Sequence, residues 1–266
     1  MLIWGAVSGL LVGLLSSFFG VGGGVVAVPI MYTLFSGITT KTVIASSLGM
    51  ICMNSVINLT VRAKNKEFPK MALALPMGIG VIIGGQIGGH LALFLQAYIV
   101  KKIFGVSLVL VLLRLIFFKS EKIEGHDYEP PKGMGTIVKS SAIGLFGGVL
   151  AGLTGLGGGI IFVPALMVVF KMPFSKIPLY SNVAMFFGTL SALSSFIFVE
   201  DLAVVSNFYP EYQIGHWNVF ISTLFVLGSI VTAPVGAQLS RVCPPGLSRK
   251  LFGTLIFLVI IRIFMS

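Results

Sequence analysis

Apolar runs recur from one end of this 266-residue chain to the other, and none of them contains a carboxylate. In a bilayer every backbone N–H and C=O must find its partner inside the protein, so such runs fold as transmembrane helices. Hydrophobic residues make up 56% of the chain and charged residues 10%, against roughly 25% charged in soluble domains. The chain therefore reads as an all-α polytopic membrane protein. Its first segment lacks a basic leading region and a small-residue cleavage site, so it reads as a mature span. The net charge of +10 follows from lysine and arginine gathering in cytoplasmic loops, and no nucleic-acid partner is expected. Cys52 and Cys243 are far apart with no ligand spacing, which gives neither a disulfide framework nor a metal site. Cys52 reads as a core residue and Cys243 as a loop residue.

Ten segments can be drawn. The first five are Leu2–Phe19, Val25–Phe35, Thr42–Val61, Met71–Leu95 and Ile99–Phe118. After a polar linker come Thr136–Thr154, Ile160–Phe170, Ile177–Val199, Trp217–Leu239 and Leu247–Met265. The second and seventh are too short to cross ~30 Å at 1.5 Å per residue. Each follows a glycine cluster, "GVGGG" at Gly20–Gly24 and "GLGGG" at Gly155–Gly159.

The two halves are repeats. At an offset of 135, Gly20, Gly22, Gly23, Gly24 and Pro29 fall on Gly155, Gly157, Gly158, Gly159 and Pro164, and "SSLGM" at Ser46 falls on "SNVAM" at Ser181. Further on the offset is 148, where "KKIFG" at Lys101 meets "RKLFG" at Arg249. The difference sits in the loop Glu200–His216, which is longer than its counterpart Arg62–Lys70. The organisation expected is a first repeat over residues 1–118, a cytoplasmic linker over 119–135 and a second repeat over 136–266.

Equivalent loops carry opposite charge. Arg62, Lys64, Lys66 and Lys70 face only Glu67, whereas Glu200, Asp201 and Glu211 have no basic residue among them. The positive-inside rule then makes the repeats inverted, with both termini outside and the linker inside. The count leaves open whether segments one and two, or six and seven, cross fully or dip in and return. Inverted repeats with a glycine-broken short segment in each half are transporter architecture.

All the acids lie in loops, which argues against a cation carrier that needs a carboxylate at depth. An anion needs donors instead. Where the chain breaks at Gly22–Gly24 and Gly157–Gly159, the first N–H groups of the next helix lack intrahelical partners and carry the positive end of its dipole. Three successive glycines favour this binding reading over packing. The four-spaced sets Gly5/Gly9/Gly13, Gly80/Gly84/Gly88 and Gly144/Gly148/Gly152 favour packing. Ser46 and Ser47, matched with Ser181 and Asn182, are candidate side-chain donors. Secondary candidates for substrate or coupling are Ser17 and Thr154, where bonding within their own helix is the alternative, and Asn54, Gln86 and His90, where interhelical hydrogen bonds are. Asn58 and Gln238 are further amides in apolar surroundings. Arg114 and Arg262 sit near segment ends and read as snorkelling. His126 and His216 read as loop residues. No catalytic triad, metal site, phosphate loop or cofactor motif is present, so neither an enzyme nor a bound cofactor is expected.

These elements together resemble the sulfite exporter TauE/SafE family of membrane transporters. The resemblance rests on Gly20–Pro29 and Gly155–Pro164, Ala45–Leu48, the basic loop after segment three, and "KKIFG" and "RKLFG" opening the last segment of each half. It covers nearly the whole chain, with Ala-Ser-Ser-Leu standing where Gly-Thr-Ser-Leu is expected in many relatives. It implies a multi-pass protein of the cytoplasmic membrane that moves sulfite or an organosulfonate. Export by alternating access is the leading reading. An ion-coupled importer and an anion channel are the alternatives. The partners expected are a small anionic substrate and the lipid bilayer, and a homo-oligomer is compatible with the reading.

Overall fold

The structure is a computed structural model and describes residues 2–35, 37–96, 98–100, 102–103, 105–106, 109, 112–113, 129, 131, 133–199 and 210–265. Most of the fifth segment and of the linker, with Arg114, His126, Glu200 and Asp201, lie outside these residues, as does the side chain of Arg262.

Nine helices have assigned bounds among the described residues: α1 (Leu2–Phe19), α2 (Gly24–Leu34), α3 (Thr40–Lys64), α4 (Met71–Phe94), α5 (Met134–Thr154), α6 (Gly159–Val169), α7 (Ile177–Ile197), α8 (Val219–Val242) and α9 (Pro245–Met265). The described residues between 98 and 113 are helical as well. Helices α3, α4, α5 and α8 are long and apolar enough to cross a membrane. Side-chain caps start two of them. Thr39 Oγ1 accepts the Thr42 N–H of α3, and Asn218 Oδ1 accepts the Ile221 N–H of α8 at 3.0 Å.

The bundle is apolar outside as well as inside. Large apolar side chains such as Ile83, Phe146 and Val231 point outward, while Ser16, Ser47, Asn54, Asn58 and Asn182 are buried. An exposed apolar surface of this extent suits lipid and not water.

Helix α4 packs on α5 and α1 packs on α8, each pair joining one half of the chain to the other. Glycines make this contact possible. A Cβ on Gly148 would stand 2.5 Å from the Val81 carbonyl oxygen and 2.8 Å from the Gly85 nitrogen. One on Gly84 would stand 2.9 Å from the Val149 nitrogen. The contacts repeat with the offsets of the sequence: Gly144 faces Met77 as Gly9 faces Phe225, and Gly80 faces Ser141 and Leu145 as Gly228 faces Ala6 and Leu10. The four-spaced glycines thus serve packing. Helices α3 and α7 pack against each other, and α3 also lies on α8.

The structure corrects three boundaries. Helix α3 does not end at Val61 but continues through Arg62 to Lys64, because the Arg62 guanidinium finds polar partners within the protein. The linker ends earlier than expected, since Met134 and Gly135 already belong to α5. The loop before α8 closes in a short turn (Pro210–Tyr212) and a hairpin, β1 (Gln213–Ile214) antiparallel to β2 (Trp217–Asn218). His216, read as a loop residue, lies in the hairpin turn and is buried there, and its backbone N–H donates to the Phe196 carbonyl. Trp217 packs on Gly49 of α3, and Asn218 N–H donates to Ser46 Oγ at 3.1 Å. The hairpin therefore covers the bundle at the start of α3.

Candidate functional site

The glycine clusters end one helix and start the next in matching geometry. Gly23 and Gly158 precede α2 and α6 with φ 74°, ψ −9° and φ 74°, ψ −8°, left-handed values that favour glycine. Helix α2 begins its ladder when Val26 and Ala27 donate to the Gly23 carbonyl, and α6 does so when Ile161 and Phe162 donate to Gly158. The amides of Gly24 and Val25, and of Gly159 and Ile160, stand ahead of these bonds at the positive ends of two helices.

The two breaks meet. A Cβ on Gly24 would lie 2.9 Å from the Gly155 carbonyl oxygen, and one on Gly159 would lie 2.5 Å from Val21 Cα. Two side chains close the junction. A Cβ on Gly22 would fall 2.7 Å from Met185 Sδ and 2.8 Å from Ile51 Cγ2, and one on Gly157 would fall 2.9 Å from Ile51 Cγ2. Ile51 comes from α3 and Met185 from α7, so each long central helix sends one apolar side chain against both breaks.

Ser47 and Ser181 tie the breaks to the opposite half. Ser47 Oγ donates to the Gly155 carbonyl at 2.6 Å, and Ser181 Oγ donates to the Gly20 carbonyl. In space Ser47 thus matches Ser181 and Ile51 matches Met185, one residue off the pairing of Ser46 with Ser181 read from the letters. Ser46 turns away: its Oγ accepts from Asn218 and its carbonyl accepts from Ser222 at 2.7 Å. Removing either tying hydroxyl leaves a buried carbonyl without its donor. Ser47→Ala or Ser181→Ala should each cost about 1–3 kcal/mol, visible as a lower midpoint of thermal unfolding in detergent.

Asn182 spends its Nδ2 on the Pro178 carbonyl at 2.6 Å, and its Oδ1 accepts from Asn58 Nδ2 at 3.0 Å. Asn58 also donates to Ser16 Oγ at 3.1 Å. Asn54, one turn beyond Ile51, is buried with neither amide atom partnered among the described residues. Ser17 Oγ and Ser55 Oγ are in the same condition. Thr154 instead bonds the Leu150 carbonyl of its own helix at 2.6 Å.

Gln86 and His90 are not brought to the breaks. Gln86 Nε2 donates to Ser191 O and Ser194 Oγ, its Oε1 accepts from Ser195 Oγ, and His90 Nδ1 sits 3.1 Å from Ser195 Oγ. Together with Lys41 they line a cavity of about 590 Å³ between α4 and α7. Along α7, Ser195 lies ~20 Å from Ser181 at 1.5 Å per residue.

Sequence reading missed Ile51, Met185 and the burial of Arg62. The signal was present in α3, where Ser47, Ile51, Asn54, Asn58 and Arg62 recur in steps of four and three, the spacing of one helix face.

The paired breaks lie within a single family match. A model of the sulfite exporter TauE/SafE family matches residues 5–263. The chain belongs to that family. A probable membrane transporter protein of Haemophilus influenzae is 28% identical over 257 residues, covering 95% of this chain and 92% of its own length. One from Methanocaldococcus jannaschii is 28% identical over 244 residues, covering 90% and 86% respectively. A third, from Bacillus subtilis, is 26% identical over 259 residues. No solved structure matches the chain. This TauE/SafE chain is a multi-pass membrane transporter, and its glycine breaks lie where its two halves meet.

Proposed function

We propose that the chain is a secondary transporter that carries a small sulfur-containing anion, sulfite or an organosulfonate, out of the cell. The observation that carries this reading is the meeting of two left-handed glycine starts, which brings the N-terminal ends of α2 and α6 together. Such a site suits negative charge. Gly22, Gly23, Gly24, Gly157, Gly158 and Gly159 would offer backbone N–H groups to the anion. Ser47 and Ser181 would turn their hydroxyls from the break carbonyls toward it. Asn54 is the nearest unpartnered amide along α3, Ser17 adds a hydroxyl, and Asn182 would turn its amide from the Pro178 carbonyl to add a donor from α7.

Ile51 and Met185 fill the junction, so the anion enters when the two halves rock apart and these side chains withdraw from the glycines. Both termini lie outside and the basic Arg62–Lys70 loop inside, with the halves as inverted repeats. With the cell interior negative, exit of an anion is favoured by about 2.3 kcal/mol per charge per 100 mV, so export runs without a coupling ion. The family description supports sulfite as the first anion to test.

The test is flux through the purified chain in proteoliposomes with sulfite, thiosulfate, sulfoacetate and taurine, with and without sodium and proton gradients. Saturable efflux of sulfite or sulfoacetate driven by membrane potential alone is the expected result. A strict need for an ion gradient would make the chain an importer. Conductance far above carrier rates without counterflow would make it a channel. No flux of any of the four would end the anion-carrier reading.

A further inference from the structure

Arg62 is fully buried, and no role in the glycine site accounts for it. Its Nη1 lies 2.8 Å from Glu67 Oε2, and its Nη2 donates to Ser240 Oγ at 3.0 Å and reaches the Ser17 carbonyl at 3.5 Å. Its Nε is buried with no acceptor among the described residues. Glu67 is shared, because Arg241 Nε stands 3.1 Å from its other oxygen. Two guanidinium groups and one carboxylate leave a positive charge in excess. Lys64 and Lys66 follow Arg62 in sequence and bring no negative charge, and Lys70 is already paired with Glu129 at 2.6 Å. Stability gives no reason for such a group, since buried ion pairs exchanged for apolar residues are often neutral or stabilising.

The position of Arg62 supplies the reason. Its backbone lies on the face of α3 that carries Asn58, Asn54 and Ile51, ~16 Å along the helix from Ile51 at 1.5 Å per residue, and its side chain reaches back to the end of α1 at Ser17, three residues before Gly20. Asn54 and Ser55, between Ile51 and Arg62 along α3, and Ser17 at the end of α1 carry buried polar atoms without a partner among the described residues.

We propose that Arg62 is a second anion-binding station on the basic-loop side of the breaks, and that Glu67 occupies it as a built-in substitute for the substrate. The proposal rests on the reading of the chain as an anion carrier. A sulfite or sulfonate group presents several charged oxygens, and a guanidinium binds two of them in a fork as it binds a carboxylate. The arriving anion takes the Glu67 place on Arg62 and gains the open Nε. The displaced Glu67 keeps Arg241 as its partner, so no charge is left stranded. Asn58, Asn54 and Ser17 then offer successive polar contacts between Arg62 and the breaks.

The experiment is sulfite and sulfoacetate flux in proteoliposomes holding the full chain, with R62K, R62Q and E67Q beside the unaltered protein. R62Q should raise KM about tenfold or more, the loss expected for one charge-assisted contact. R62K should follow it, because an ammonium keeps the charge and loses the fork. E67Q should do the reverse and lower KM several-fold, since an uncharged amide no longer competes with the anion. It keeps one oxygen, for Arg62 or for Arg241, in place of two, and the KM of its folded fraction decides the question even where the Arg62 variants do not assemble. An unchanged KM in folded R62K or R62Q, or an unchanged or higher KM in E67Q, overturns the station while leaving the carrier reading intact. Absence of flux in the unaltered chain overturns both.

Discussion

Gly23→Leu and Gly158→Leu should each bring anion flux to the background of empty liposomes. Both positions hold φ 74°, where a leucine is strained by roughly 1–2 kcal/mol before it touches anything. The side chain then drives into the preceding helix of its own half, α1 at Gly23 and α5 at Gly158, and displaces the start from which α2 or α6 presents its first amides. The two substitutions should differ in their cost to the fold. At Gly23 the nearest obstacle to a Cβ is Val12 Cγ1 at 2.5 Å, a side-chain atom, and the nearest backbone atom is the Val12 carbonyl oxygen at 3.2 Å. At Gly158 it is the Gly147 carbonyl oxygen at 2.6 Å, a backbone atom of α5 that cannot yield without moving the helix. Gly23→Leu should therefore leave the larger folded fraction by size exclusion in detergent, and that variant isolates the transport defect. Normal flux in both would remove the glycine breaks from the site.

Gly84→Leu should prevent assembly of the bundle and not merely slow transport. Helix α4 meets α5 backbone to backbone there, and a Cβ on Gly84 would already crowd the Leu145 carbonyl carbon and the Val149 nitrogen at 2.9 Å each. Overpacking in a close-packed interior costs about 1–3 kcal/mol even when side chains can adjust, and here only backbone is available to move. Gly88→Leu, one turn along the same interface, should behave alike. Gly78→Ala is the control: it lies on the same helix, and the nearest neighbour of its Cβ is Phe187 Cδ2 at 3.9 Å. The expected result is loss of monodisperse protein for Gly84→Leu beside wild-type behaviour for Gly78→Ala. Wild-type yield from Gly84→Leu would refute the contact.

Much of the architecture could be read from the letters. The segment Leu2–Phe19 matches α1 at both ends, and the short helices after the glycines begin within one residue of their expected starts. These features are local, because glycine runs and apolar periodicity act on the backbone within a turn or two. The division of glycines into packing and break positions was legible for the same reason: spacing by four marks a helix face, and three in a row does not.

Less legible was what each polar residue touches. Ser46 and Ser47 are neighbours in sequence and point about 100° apart on a helix, so one ties to the glycine break and the other to the hairpin. Gln86 and Asn54 look alike as amides in apolar runs. One is satisfied by three serines of α7, and the other is left without a partner. Arg62 read as a loop cation under a rule that counts charge near helix ends and takes no account of what lies across the bundle.

The sequence by itself determined that this is a helical membrane chain built twice over, with a backbone break in each copy and no acid at depth. Those properties follow from hydration and backbone strain, which each residue carries wherever it is placed. Only the tertiary structure decided that the two breaks touch, that Ile51 and Met185 close them, and that Arg62 is enclosed with Glu67, Ser240 and Ser17. These depend on contacts between helices far apart in the chain, and side-chain direction at such contacts is set by how helix faces interlock.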